Sequence, residues 1–382
     1  LGVGIVGLPN VGKSTLFNAL TRAQNAEAAN YPFCTIEPNK ATVAMGDIRL
    51  AALAAIAKPG QIVKATVDFI DIAGLVRGAS KGEGLGNKFL ANIRETDAVL
   101  QVVRCFADDD VVHVEGGIDP VRDIEIIETE LVLADMQSLE KRIDRISRQA
   151  RADKELRKEV EAMELLMKHL NEGHPVRTFP RAEGDALGIT LTELQFLTDK
   201  PVIYCANVGE TELDGGGAQV ERVKAHASEK GCDVVVISAK MEAELAGLTD
   251  SERDDFLASY GLKESGLDQT IRMAYHTLGL ASYFTAGPKE VRAWTFHRGW
   301  GAPRCAGVIH TDFERGFIRA EVIAYDDYVR LNGEAGAKAA GVMRVEGKEY
   351  IVQDGDVMHF LFNVQGGVCG FHAPLPRRVK TA

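Results

Sequence analysis

The run Gly7-Leu-Pro-Asn-Val-Gly12-Lys13-Ser14 satisfies G-x-x-x-x-G-K-[ST], and no other feature of this chain restricts its fold as much. The run works only where a buried strand turns sharply into a helix. Its flanks meet that demand. Val3–Val6 is apolar and β-branched, as a buried parallel strand requires. Thr15–Ala23 carries Leu16, Phe17 and Leu20 at helix-compatible positions. Glycines let the backbone bend until its N–H groups point inward and form an anion nest. The helix starting near Lys13 aims its positive end at the same point. Asn10, Val11, Gly12, Lys13, Ser14 and Thr15 are therefore the expected phosphate-contacting residues. Lys13 is expected to reach the β- and γ-phosphates, and the Ser14 hydroxyl to ligate Mg²⁺.

Such a site also needs a carboxylate beside the metal and a sensor for the γ-phosphate. Val67-Asp-Phe-Ile-Asp71-Ile-Ala-Gly74 offers an apolar strand ending in D-x-x-G. Asp71 is expected to bind Mg²⁺ through water, and the Gly74 N–H to bond the γ-phosphate. D-x-x-G is common by itself; its place at the end of a strand that follows a phosphate loop gives it weight. Between the two lies Asn30-Tyr-Pro-Phe-Cys-Thr35-Ile-Glu-Pro38, with Thr35 as the candidate second Mg²⁺ ligand on a first switch loop. The glycine-rich Lys81–Gly86 reads as the second switch.

Guanine-specific sites of this class carry N-K-x-D after one buried strand and S-A-K after the next. Val202–Ala206 leads into Asn207, but Val208, Gly209 and Glu210 follow, so the pattern becomes N-x-x-E. Val234–Ile237 leads into Ser238-Ala239-Lys240, which keeps S-A-K. The candidate base-contacting residues are Asn207, Val208, Glu210, Ser238, Ala239 and Lys240. In N-K-x-D the aspartate accepts the guanine N1–H and exocyclic amine. Glu210 is one methylene longer, and a guanine donor left unpaired in a buried pocket would cost ~1–3 kcal/mol. ATP is therefore expected over GTP, with a glutamate that bends back to read guanine as the alternative.

These segments together resemble the YchF family of Obg-like P-loop NTPases. The residues that carry the resemblance are Gly7–Thr15, Asn30–Thr35, Asp71-Ile-Ala-Gly74-Leu-Val-Arg-Gly-Ala79, and Asn207 with Glu210. The likeness extends over almost the whole chain. It implies ATP preference, association with ribosomes or ribosomal RNA, and a part in stress or redox responses. Many related GTPases keep a glutamine after the D-x-x-G glycine to orient the attacking water. Here that position is Leu75, which cannot do so. The resemblance points instead to His113, which joins Lys13 and Gly74 as a catalytic candidate. Asn10 is similar to the asparagine that holds K⁺ in related potassium-activated GTPases. A nucleotide-sensing module with incidental turnover remains a further alternative.

Strands at Val3–Val6, Val67–Asp71, Ala98–Arg104, Val202–Ala206 and Val234–Ser238 alternate with helical stretches, predicting an α/β, parallel-rich nucleotide domain. With 382 residues the chain is too long for one ordinary core. Ile124–Leu170 is helical in period, with Leu139, Ile143, Ile146 and Ala150 on one stripe and Leu156, Val160, Met163, Met167 and Leu170 on another. A break at Arg151–Lys154 predicts an antiparallel coiled-coil hairpin. From residue 279 the pattern changes to short β-like runs, among them Val291–Phe296, Glu321–Tyr325, His310–Arg319 and Asp354–Phe362. That region resembles a TGS domain, a β-grasp module that suggests RNA contact. The expected division is a discontinuous nucleotide domain at 1–123 and 201–278, the helical insertion at 124–200, the β-grasp module at 279–366 and a tail at 367–382. Arg298, Arg304, Arg315, Arg319, Arg377 and Arg378 could supply local positive charge to an RNA.

The net charge of −11 gives no global attraction to nucleic acid, so any such contact must be local, and DNA is not expected. No run approaches the ~20 apolar residues of a membrane helix. Leu1–Gly7 reads as a strand, with no basic region or cleavage site of a signal peptide. The six cysteines form no C-x-x-C pair and read as thiols. A cytoplasmic setting is the expectation.

Overall fold

The computed structural model describes residues 2–27, 39–72, 85–107, 117–181, 186–213, 217–364 and 367–370. Thr35, Gly74, Leu75, His113, Arg377 and Arg378 lie outside the described residues. The chain separates into two compact units. The amino-terminal strand and helix join residues 68–277 in the first; residues 44–67 join those from 278 onward in the second.

The first unit is built on β1 (Gly2–Val6), β2 (Lys40–Ala44), β4 (Thr66–Asp71), β5 (Ala98–Arg104), β6 (Val202–Asn207) and β7 (Asp233–Ile237), with β3 (Gln61–Val63) belonging elsewhere. Their order is β2-β4-β1-β5-β6-β7. β1 runs parallel to both β4 and β5, β5 to β6, and β6 to β7. Every residue of β5 and β6 is buried, as strands covered on both faces must be. The five strands expected from sequence are all present, shifted by no more than a residue at their ends. In such a sheet the loops at the carboxyl ends of the strands form the ligand crevice.

The insertion folds as two helices, α4 (Pro120–Ala150) and α5 (Lys154–Asn171). The break falls where the sequence predicted it. Asp119 caps α4 by accepting from the Arg122 amide, with Pro120 at the first helical position. Asp153 caps α5. Leu139, Ile146, Met163, Leu166 and Leu170 form the seam between them. Inside it Arg142 donates to Glu159 at 2.6 Å and also bonds Thr190, so the buried charge is fully partnered. The insertion is expected from residue 124, but α4 begins at Pro120, and Asp123, Ile124 and Ile127 are buried where α4 packs on β5.

The second unit is a seven-stranded sheet of β3, β8 (Leu280–Ala286), β9 (Glu290–His297), β10 (Phe317–Ile323), β11 (Arg344–Glu346), β12 (Val357–Val364) and β13 (Gly367–Gly370). Tyr283, Phe296, Phe360, Ala302, Cys305 and Val322 centre its core. The helix Ala302–Ile309 packs on β9 and β10, in keeping with the expected β-grasp architecture.

Other boundaries also differ from expectation. Residues 45–65, placed in the nucleotide domain by sequence and lying between β2 and β4, serve the second sheet. β3 pairs in parallel with β9 from Gln61↔Glu290 to Val63↔Arg292, and α2 (Ile48–Ala57) packs on β8 and β9 with Leu50 and Leu53 buried. α2 reads IRLAALAAIA, nearly apolar all round, and that pattern demands burial without naming the sheet that supplies it. The stretch His310–Arg319 is not one strand: Thr311–Arg315 is a helical turn, and β10 starts at Phe317 and ends before Tyr325. The tail expected from residue 367 begins with β13, which pairs with β12.

Candidate functional site

The phosphate loop joins β1 to α1 (Lys13–Glu27). Two of its residues are left-handed, Asn10 at φ 63° and Gly12 at φ 96°. At Gly12 a side chain is also excluded by space, because a Cβ would lie 2.1 Å from Asn207 Nδ2. No acidic residue sits in the first turn of α1, so the positive end of the helix is uncompensated from its own side chains. Ser14 and Thr15 are exposed at that end. The Lys13 side chain is 12% exposed, and its ammonium pairs with the Asp71 carboxylate at the end of β4. The Asp71 amide in turn donates to Asn39 O at 2.8 Å. The loop lysine and the expected metal carboxylate, 58 positions apart in the chain, therefore meet.

The second half of the site stands at the ends of β6 and β7. Asn207, only 4% exposed, donates from Nδ2 to Val11 O and accepts at Oδ1 from the Ala239 amide, both at 2.9 Å. It is a strut between the phosphate loop and the loop after β7, which uses one amide hydrogen and one lone pair of a side chain expected to face the base. Val208 is buried, and its amide donates to Ile237 O. Glu210 Oε1 is buried and makes no hydrogen bond, with Lys240 Nζ at 3.3 Å as its charged neighbour. Ser238 caps α8 (Ala239–Leu245) by accepting from the Met241 amide.

A cavity of about 880 Å³ joins these parts. Its walls are the loop from Gly7 through Thr15, with Val11 behind them, then Asn207–Thr211 and Ser238–Lys240. Phe106 and Ala107 complete the lining, and the motif search missed both. The signal was topological: β5 neighbours β1, so the residues following Arg104 emerge beside the phosphate loop. The Arg104 guanidinium lies 4.7 Å from the centre of the Phe106 ring and its Nε donates to Phe106 O, which fixes the ring at the cavity edge.

A glycine loop between a buried parallel strand and a helix, with its lysine on the D-x-x-G aspartate and N-x-x-E and S-A-K loops across the cavity, defines a P-loop nucleoside triphosphatase of the G-domain class. Residues 2–144 match the profile of a family described as 50S ribosome-binding GTPase, and residues 280–363 match the YchF GTPase C-terminal domain, described as a protein of unknown function, DUF933. The chain is 56% identical to the protein named ribosome-binding ATPase YchF of Haemophilus influenzae, over 94% of this chain and 99% of that one. With the protein of that name in Bacillus subtilis it shares 52%, over 95% and 100%. The solved structure of the Schizosaccharomyces pombe YchF GTPase superposes with a TM-score of 0.86 at 38% identity, covering 94% of this chain and 97% of that one. The chain belongs to the YchF family.

Proposed function

We propose that this chain binds ATP with Mg²⁺ in the cavity between the phosphate loop and Asn207–Glu210, and hydrolyses the γ-phosphate in association with the ribosome. The observation that carries the reading is one cavity of about 880 Å³ whose lining joins the phosphate loop to Asn207–Thr211 and Ser238–Lys240. In this reading the amides of Asn10–Thr15 take the phosphate oxygens, and Lys13 moves from Asp71 onto the β- and γ-phosphates. The Ser14 hydroxyl and Asp71 carboxylate are hard oxygen donors of the kind Mg²⁺ takes, and they suit it together with Thr35. The metal, when bound, neutralises charge on the β- and γ-oxygens. K⁺ beside Asn10 would add positive charge where an arginine finger acts in other members of the class. Gly74 senses the γ-phosphate and His113 orients the attacking water.

ATP is preferred because Glu210 is one methylene longer than the aspartate of N-K-x-D and its Oε1 lies 3.3 Å from Lys240 Nζ, so its carboxylate is not set to take the forked N1–H and amine pair of guanine. Phe106 offers its ring face to the base. The intact Ser238-Ala239-Lys240 favours the second reading, a guanine-specific switch. Ribosome association follows the names of the relatives; with a net charge of −11, the contact with RNA is a local one.

The test is turnover of ATP and of GTP, with and without ribosomes and K⁺. Ribosomes and K⁺ are expected to raise ATP turnover, and His113→Ala to lower it by about tenfold or more without weakening binding. Tenfold tighter binding of GTP than ATP would sink the ATP preference. No turnover under any condition would leave only a nucleotide-sensing module.

A further inference from the structure

The base end of the cavity rests on the first residues of α8, whose apolar side packs Met241 and Leu245 against Leu257. The helix is seven residues long, too short to hold its place by helix propensity. On the cavity side it is held by Asn207, through the Ala239 amide. On the far side it is held by Glu242. This residue is 4% exposed, and its Oε1 accepts from the Gly266 amide at 2.7 Å. Gly266 opens α10 (Gly266–Thr277). The Glu242 carboxyl thus satisfies one of the unpartnered amides with which any helix begins.

There is little slack in this joint. A Cβ on Gly266 would lie 2.7 Å from Ile237 Cγ2 and 3.0 Å from Glu242 Oε1, so the start of α10 touches the last residue of β7 directly. Ile237 immediately precedes Ser238. The loop that floors the base is therefore clamped from both sides, by Asn207 in front and by Glu242 behind.

We infer that Glu242 is a positioning residue for the base end of the nucleotide cavity, holding Ser238-Ala239-Lys240 at the depth the purine requires. The inference rests on the ATP-binding reading above and adds a residue that touches neither nucleotide nor metal. Its effect should be confined to the base. The phosphate loop is held by β1, α1 and Asn207, none of which Glu242 contacts through its carboxylate.

Inorganic tripolyphosphate, which has no base, separates positioning from general damage. Calorimetry of the full chain with Mg²⁺ is expected to find ATP bound about tenfold more weakly by Glu242→Ala, the loss of a buried hydrogen bond, while tripolyphosphate affinity stays within about twofold. The ATP-saturated rate should remain near that of the wild type, with the loss appearing in KM. Glu242→Gln keeps a carbonyl oxygen at the same reach and should restore ATP affinity. Glu242→Asp keeps the carboxyl group but falls one methylene short, so it should resemble Glu242→Ala and serves in its place if the alanine variant does not fold. Equal ATP affinity in wild type, Glu242→Ala and Glu242→Asp overturns the inference, as does a parallel loss of ATP and tripolyphosphate. A wild-type chain that binds tripolyphosphate but not ATP overturns the ATP reading itself, a result distinct from either of these.

Discussion

The two ends of the cavity are built in opposite ways. The phosphate end is one continuous segment, Gly7–Thr15, shaped by its own glycines and by the helix it opens. The end proposed for the base is assembled from Phe106 after β5, Asn207–Glu210 after β6 and Ser238–Lys240 after β7, three segments set side by side only by the order of the sheet. A local motif can make an anion site because backbone amides and a helix terminus suffice. A base site needs side chains that converge from distant positions, and so depends on struts such as Asn207. The phosphate end should therefore fail when one charge is removed, and the base end when one strut is removed.

The largest effect is expected from Lys13→Ala. It deletes the ammonium at the phosphate end and should weaken ATP by about a hundredfold or more in calorimetry, of the order of two charge-assisted bonds. Affinity within threefold of wild type would mean that the loop does not carry the triphosphate. Asn207→Ala comes next, because it frees both Val11 O and the Ala239 amide at once. A loss of roughly 10- to 50-fold is expected for ATP, with a smaller loss for tripolyphosphate, since the strut serves both ends. Loss of ATP alone would restrict the strut to the base.

Val208→Lys combined with Glu210→Asp recreates N-K-x-D and should move the ratio of GTP to ATP affinity about tenfold toward GTP, the value of one discriminating hydrogen bond. An unchanged ratio would remove Glu210 from base discrimination.

How much of this was legible in the chain follows the same division. Val3–Val6, Gly7–Ser14 and Lys13 could be read directly because their chemistry lies in consecutive residues. The hairpin was legible too, since Leu139, Ile146, Met163 and Leu170 keep the helical period and Arg151–Lys154 interrupts it. Phe106 was not, because nothing in its neighbours marks it; only the pairing of β5 with β1 brings it to the phosphate loop. Asn207 was found as a candidate, but its role as a strut was not legible, since its partners Val11 and Ala239 lie 196 and 32 positions away. The excursion of residues 45–65 escaped for a related reason. α2 and β3 are apolar enough to need cover, and sequence states the need without the partner.

The last prediction concerns Glu242 and pH. Burial pushes its carboxyl from about 4.5 up to about 7; the Gly266 and Leu267 amides oppose the rise, Asp268 adds to it and Arg253 counters it, and buried Cys205 also faces the group. A carboxyl raised in the folded state takes up a proton on folding between those two values, so its cost to stability grows as pH rises through that window and is constant above it. Glu242→Gln has no such proton to bind. Relative to the wild type it should gain ~1–3 kcal/mol between pH 5 and pH 7.5 in denaturant unfolding. A difference that stays flat with pH would mean the carboxyl is not held neutral by its surroundings.

The most direct test of the central claim is a high-resolution map of the chain with ATP and Mg²⁺. The account predicts the triphosphate within hydrogen-bond reach of the Asn10–Thr15 amides, Lys13 transferred from Asp71 to the β- and γ-phosphates, and adenine between Phe106 and the Ser238–Lys240 loop. A saturated crystal or grid with that cavity empty, or with the triphosphate bound elsewhere on the chain, would contradict it.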